Sequence, residues 1–140
     1  MIDWQDINSW QVLVVDDEPD NLEVVAETLE YLGAQVKTAL NGQEALEALE
    51  AFMANLILTD LSMPVMDGWQ MRANAKRNPA FAEVPIMALS AHAIVGDRER
   101  AIEAGFNGYI TKPVNINTLL DDIRAALVVP ETKVVEDRAI

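Results

Sequence analysis

Asp16, Asp17, Asp60 and Lys112 are the residues of this chain whose types and spacing point to phosphoryl chemistry. The pair Asp16-Asp17 closes the apolar run Val12-Leu13-Val14-Val15, and Asp60 closes Leu56-Ile57-Leu58-Thr59. Lys112 follows a third short run around Tyr109-Ile110. Runs of this kind read as buried strands, so each charged residue falls where a strand meets solvent at its carboxyl end. Three acids and one ammonium suit a hard divalent cation, Mg2+ with Mn2+ as a substitute, because oxygen ligands select hard ions. Asp17 and Asp60 would ligate directly, and Asp16 directly or through water. Without the cation the acids repel, and some of their pKa values should rise. Three carboxylates, one divalent ion and one ammonium sum to zero, so the set is charge-matched when metal is present. A carboxylate attacks phosphorus in line once metal and ammonium neutralise the equatorial oxygens. The product would be an aspartyl phosphate on Asp60. Ser90 and the backbone N–H groups after Asp60 would add hydrogen bonds to the oxygens.

Taken singly, each residue also has an ordinary reading. Asp16 or Asp17, ahead of Pro19, would serve as a helix cap, and Ser90 would cap the helix after it. Lys112-Pro113 would make a plain turn. Their joint placement at three strand ends is what favours chemistry, and it depends on the elements between them.

Short β-rich runs alternate with helical stretches, the pattern of an α/β domain with a parallel sheet. Gln11–Val15 is the first strand, and Pro19 then opens a helix striped by Leu22, Val25, Ala26, Leu29 and Leu32 and ended by Gly33. Residues 35–38 make a second strand. Asn41 and Glu44 form an N-cap pair for a helix whose inner face is Ala45, Leu46, Leu49 and Phe52. Residues 56–59 form the central strand, followed by the loop 62–68 and a helix over 69–78. A fourth strand covers 84–89 with Ser90 just beyond it, and a fourth helix covers 97–104 up to Gly105. Tyr109-Ile110 marks the fifth strand, and Ile116, Leu119, Leu120, Ile123 and Leu127 stripe the last helix. Right-handed crossovers place all five carboxyl ends on one sheet edge, where ligands of open sheets bind.

The bulk properties narrow the function. With 140 residues the chain has room for one domain with a real core. No apolar stretch approaches the ~20 residues that span a bilayer. The first residues carry acids where a signal peptide would carry bases, and there is no cysteine for disulfides or thiolate sites. A cytoplasmic protein is expected. Net charge is −13, from 23 acids against 10 bases, which opposes binding to nucleic acid or anionic membrane.

With these pieces in order, the chain resembles the receiver domain of two-component response regulators, in the stand-alone, chemotaxis-regulator-like form. The resemblance spans about residues 10–129 and is carried by VLVVDDEP at 12–19, LILTDLSMPVMDG at 56–68, ALSAHA at 88–93 and AGFNGYITKPV at 104–114. It implies a doubly wound five-stranded parallel sheet of order 2-1-3-4-5, the flavodoxin-like fold. It also implies Asp60 as phosphoacceptor, taking its group from a histidine kinase or histidine phosphotransfer protein. Asp16 and Asp17 would be the metal-site acids, with Ser62 lending its backbone carbonyl to Mg2+. Lys112 would contact the phosphoryl oxygens, and Ser90 and Tyr109 would form the switch pair, passing the change to a downstream protein target.

Residues 1–9 then form an extension, 10–129 the receiver domain and 130–140 a tail expected to fray. Trp4, Ile7 and Trp10 either pack on the amino-terminal sheet edge or meet a partner. Met63, Met66 and Trp69 form either a docking patch or part of the core. His92 is either a solvated loop residue or a participant in hydrolysis, and Gly96 loosens the start of the fourth helix. The chain is expected to be no enzyme beyond its own phosphorylation and dephosphorylation. As given, it leaves no room for a DNA-binding domain, so it is either a stand-alone switch or a receiver fragment of a longer regulator or hybrid kinase. A metal-dependent phosphatase of the haloacid-dehalogenase type would need an acid where Ser62 stands. A flavin or nucleotide module would meet repulsion from Asp16-Asp17-Glu18.

Overall fold

A computed structural model describes residues 3–91 and 96–127 of the chain. His92 and the tail 130–140 lie outside the described residues. The strands are β1 (Gln11–Val15), β2 (Gln35–Ala39), β3 (Leu56–Asp60), β4 (Ile86–Ser90) and β5 (Gly108–Thr111). The helices are α1 (Pro19–Leu32), α2 (Gly42–Ala51), α3 (Gly68–Arg77), α4 (Asp97–Glu103) and α5 (Leu119–Leu127). All strand pairs are parallel, in the order β2-β1-β3-β4-β5, so the expected doubly wound topology is the one found.

Alternation along the strands divides the core in two. Val12, Val14, Leu56, Leu58 and Leu89 face one side, where Leu22, Val25 and Leu29 of α1 and Leu119 and Ile123 of α5 cover them. Leu13, Val15, Ile57 and Ala88 face the other, under Ala45 and Leu49 of α2, Met71 and Ala75 of α3 and Ala101 of α4. Every residue of β3 is buried, as a central strand covered on both faces requires. Register places Asp60 beside Leu89 and Ser90 beside Thr111, and Val15 pairs with Thr59 just before the acids.

Several boundaries differ from the sequence reading for local reasons. Strand β4 starts at Ile86 rather than Val84. The Val84 carbonyl accepts from Lys76 Nζ at 2.6 Å instead of joining the ladder, and Pro85 has no N–H to give. Ser90 is the last residue of β4, not the one after it. Ile116 is half exposed and precedes α5, because the turn at 115–118 is closed by Asn115 and Thr118 before the helix begins. Neither Asp16 nor Asp17 caps α1. Its N-cap is Glu18, with Pro19 supplying the preset first turn. Asn41 does cap α2 through Glu44 N, while Glu44 accepts from Leu40 N rather than from Asn41.

Trp10 is fully buried, with Trp4 edge-on to it at 5.3 Å and Ile7 packed against the same cluster. These residues therefore join the core on the α1–α5 side. Among the described residues no helix is long and apolar enough to cross a membrane.

Candidate active site

Three strand ends converge at one edge of the sheet. Asp16 directly follows β1, Asp60 ends β3, and Lys112 directly follows β5. Lys112 Nζ lies 2.6 Å from Asp16 Oδ2 and 2.8 Å from Asp60 Oδ2, so one ammonium bridges two buried carboxylates. Its own side chain is 9% exposed. Burial alone would lower the Lys112 pKa, but hydrogen bonds and charge from Asp16 and Asp60 outweigh it and raise the value. The Lys112–Pro113 peptide is cis.

The remaining carboxylate oxygens are held by backbone. Asp16 Oδ1 accepts from Glu18 N at 3.0 Å, and Asp60 Oδ1 accepts from Ser62 N at 3.1 Å. Each acid is thus fixed by one main-chain donor and one ammonium. Asp17, half-buried, completes a group in which one oxygen of each of the three acids lies within 4.8 Å of the others. An all-oxygen donor set of this size fits Mg2+, which takes one or two carboxylates and keeps water or phosphate in its other positions.

The loop after β3 shapes the rest of the site. Asp67 caps α3 by accepting from Gln70 N, and Gln70 accepts from Asp67 N, a complete capping box. Gly68 follows because a Cβ there would strike the Asp60 carbonyl oxygen. The helix start is thereby folded back onto the strand end that carries Asp60. Val65 takes a left-handed conformation at φ 68° and is exposed. Met63 and Met66 pack against the core, and Trp69 stands edge-on to Phe106 at 5.3 Å. Partial core packing thus describes Met63 and Met66, while Trp69 remains 36% exposed.

Ser90 is buried and lines a cavity of about 370 Å³ with Ser62, Met63, Trp69, Asp97 and Arg100. Tyr109 is buried on the α2–α4 side. The ion pair of Asp97 with Arg100 is absent from the sequence reading, which took Asp97 as a helix start. Their three-residue spacing was the available signal. Gly96, the N-cap of α4, is left-handed at φ 99° and supplies no side-chain bond.

Residues 12–124 match the family model of the response regulator receiver domain, which covers most of the chain and all the site residues. The chain belongs to the response regulator receiver family. Among curated relatives of this receiver, an uncharacterised 14.6 kDa protein in the sodA1 3' region of Leptolyngbya boryana is 40% identical, over 79% of this chain and 85% of its own length. The sensor histidine kinase RcsC of Salmonella typhimurium is 33% identical over 77% of this chain, which spans 11% of the kinase. Receivers therefore occur both in short proteins and within sensor kinases.

Solved structures agree. The chemotaxis response regulator CheY4 of Vibrio cholerae has 30% identity and a TM-score of 0.78, covering 84% of this chain and 98% of its own. The receiver domain of the sensor histidine kinase PA1611 of Pseudomonas aeruginosa, solved with magnesium in its active-site cleft, has 33% identity and a TM-score of 0.74. That match covers 83% of this chain and 95% of its own.

Proposed function

We propose that this receiver accepts a phosphoryl group on Asp60 from the phosphohistidine of a histidine kinase or histidine phosphotransfer protein. The observation that carries the reading is the bridge of Lys112 Nζ between Asp16 Oδ2 and Asp60 Oδ2, beside Asp17. Asp16, Asp17, Asp60 and the backbone carbonyl of Ser62 would hold Mg2+, or Mn2+ in its place. When bound, the ion supplies positive charge to the phosphoryl oxygens and orients them for in-line displacement.

The protein's own groups do the rest. Backbone donation from Ser62 N holds the Asp60 carboxylate in one orientation, which lowers the entropic part of the barrier. An Asp60 oxygen forms the new O–P bond as the P–N bond to the donor imidazole breaks, and that electron pair returns to the ring nitrogen. Lys112, already within reach of Asp60, balances charge on the phosphoryl oxygens, and the Ser90 hydroxyl donates to one of them. Hydrolysis of the aspartyl phosphate restores the starting state, so the protein turns over no separate substrate.

Ser90 and Tyr109 form the switch pair. Movement of Ser90 toward the new oxygens alters the packing beneath α4 and β5, and the changed face meets a downstream protein target. Coupling of this type amounts to ~1–3 kcal/mol, a population shift rather than a lock. A net charge of −13 favours a protein target over nucleic acid or an anionic membrane. The same chemistry serves a separate regulator or a receiver within a sensor kinase.

Incubation with acetyl phosphate and Mg2+ tests the reading. One base-labile phosphoryl group per chain is expected, and none with Asp60→Asn or with metal chelated. Undiminished labelling of Asp60→Asn would refute the acceptor assignment.

A further inference from the structure

Residues 3–10 precede the segment 12–124 that matches the family, yet side-chain hydrogen bonds and the buried Trp10 ring tie them to it. Arg124 of α5 donates from Nε to the Trp4 carbonyl at 2.9 Å and from Nη2 to the Gln5 carbonyl at 3.0 Å. Its guanidinium also lies 6.0 Å from the centre of the buried Trp10 ring. Two charge-assisted bonds from one planar fork fix direction as well as distance. Ile7 and Asn8 close over the end of α1, where a Cβ on Gly33 would come within 2.5 Å of Asn8 Oδ1 and 3.3 Å of Ile7 Cγ2. Asn55 ties the segment to the sheet, donating to Ser9 O at 3.2 Å and accepting from Gln11 N at 2.8 Å. Residues 3–10 thus bond to α5 and to Asn55 at the entry to β3, and pack over Gly33 at the end of α1, at the sheet edge opposite Asp60.

The two helices flanking β5 are held very differently. Helix α5 buries Leu119 and Ile123 and has Arg124 as a second anchor toward its carboxyl end. Helix α4 has seven residues and an N-cap glycine with no side-chain bond. Among the described residues, nothing lies within 4 Å of where a Cβ on that glycine would be. Helix α4 buries Asp97 and Ala101 but, among the described residues, receives no hydrogen bond from residues 3–10 of the kind that Arg124 gives α5.

We propose that residues 3–10 act as a strap that pins α5 to α1 and the sheet, confining the response to phosphorylation to α4 and β5. The inference rests on the phosphoacceptor reading and assigns Arg124 as its positioning residue. It narrows the changing face. A target that senses the phosphorylated state would touch α4 and β5, and a surface built on α5 would look alike in both states.

Amide hydrogen exchange of the full chain, with and without beryllofluoride and Mg2+, tests this. In the wild type, protection should change over 96–103 and 108–111 and stay constant over 119–127. In Arg124→Ala, residues 119–127 should become responsive, with exchange differing at least about fivefold between the two states, the lower end of ordinary coupling. Arg124→Lys should fall between, and Arg124→Met, which keeps an aliphatic stem in place while removing both donors, gives a second test if Arg124→Ala does not fold. Equal responses of α4 and α5 in the wild type would overturn the strap. So would an α5 that remains unresponsive in the variants while α4 responds. No response anywhere, together with no phosphorylation of Asp60 by acetyl phosphate, would instead remove the phosphoacceptor reading on which the strap's task depends.

Discussion

Lys112 is the residue on which the electrostatics of the metal-free site turn. It places one positive charge between two buried carboxylates, and removing it leaves Asp16 and Asp60 with no cation between them. Lys112→Met should therefore destabilise the metal-free protein at pH 7.5 by about 3–5 kcal/mol, the usual result of breaking a buried pair from one side. The pH dependence separates this from simple loss of packing. The wild-type Lys112 pKa is raised, so its contribution is complete below the unfolded lysine value near ~10.4 and is lost only as pH rises through the higher folded value. In the variant that titration is absent, so the stability gap between wild type and Lys112→Met should hold steady from pH 7.5 to about 9.5 and narrow as pH rises above that. Thermal melts across and above that range decide the matter, and a parallel loss at every pH would contradict it. Gly68 makes a second prediction at this scale. Gly68→Ala should cost about 1–3 kcal/mol by crowding the Asp60 carbonyl and should slow phosphorylation by acetyl phosphate at temperatures where the variant is fully folded.

At the scale of elements, β-rich runs ending in charge were legible because a strand buried on both faces leaves a nearly unbroken apolar string, as Val12–Val15 and Leu56–Leu58 do. The helical stripes were legible from period, and the acids and Lys112 found their edge through the handedness of the crossovers. Tertiary contacts hid the remainder. The first residue of β4 is set by Lys76, ten positions away, whose ammonium takes the Val84 carbonyl. Ile116 fits the α5 period but lies in a turn, since apolar spacing alone cannot say where a helix begins. The capping box at Asp67, which starts α3 at Gly68 rather than at 69, is absent from the sequence reading, and the need for Gly68 was hidden because its reason is the approach of Asp60. Trp10 belongs here as well. Spacing put it with Trp4 and Ile7, but only the fold shows it sealing the α1–α5 core. Trp10→Ala should lower stability by about 3–5 kcal/mol in urea unfolding, with Asp60 still phosphorylated at low denaturant. A change under ~1 kcal/mol would mean that the ring is peripheral.

For the whole molecule, charge is the governing property. A net −13 spread over a small domain favours expansion, and part of it sits on α1, whose residues Asp20, Glu23, Glu27 and Glu30 have no basic neighbour within the helix. Glu23 shows the strain locally, its pKa raised by a hydrogen bond to Glu27 and then by that residue's charge. Screening with NaCl should therefore raise the melting temperature modestly. Mg2+ should do so at far lower ionic strength, because the acids proposed to hold it come from two distant strand ends that only folding assembles. At ten times the dissociation constant the linkage is ~1.4 kcal/mol, or roughly 5 °C for a domain of this size. Asp17→Ala should abolish the Mg2+ increment and leave the NaCl increment in place. Equal increments from both salts at matched ionic strength would argue against a specific cation site. The measurement that bears most directly on the central claim is peptide mapping after acetyl phosphate treatment and borohydride reduction, which converts an aspartyl phosphate to homoserine. The account predicts homoserine at Asp60, dependent on Mg2+ and absent at Asp16 and Asp17; homoserine at either of those two residues, or an unmodified Asp60 under the same conditions, would contradict it.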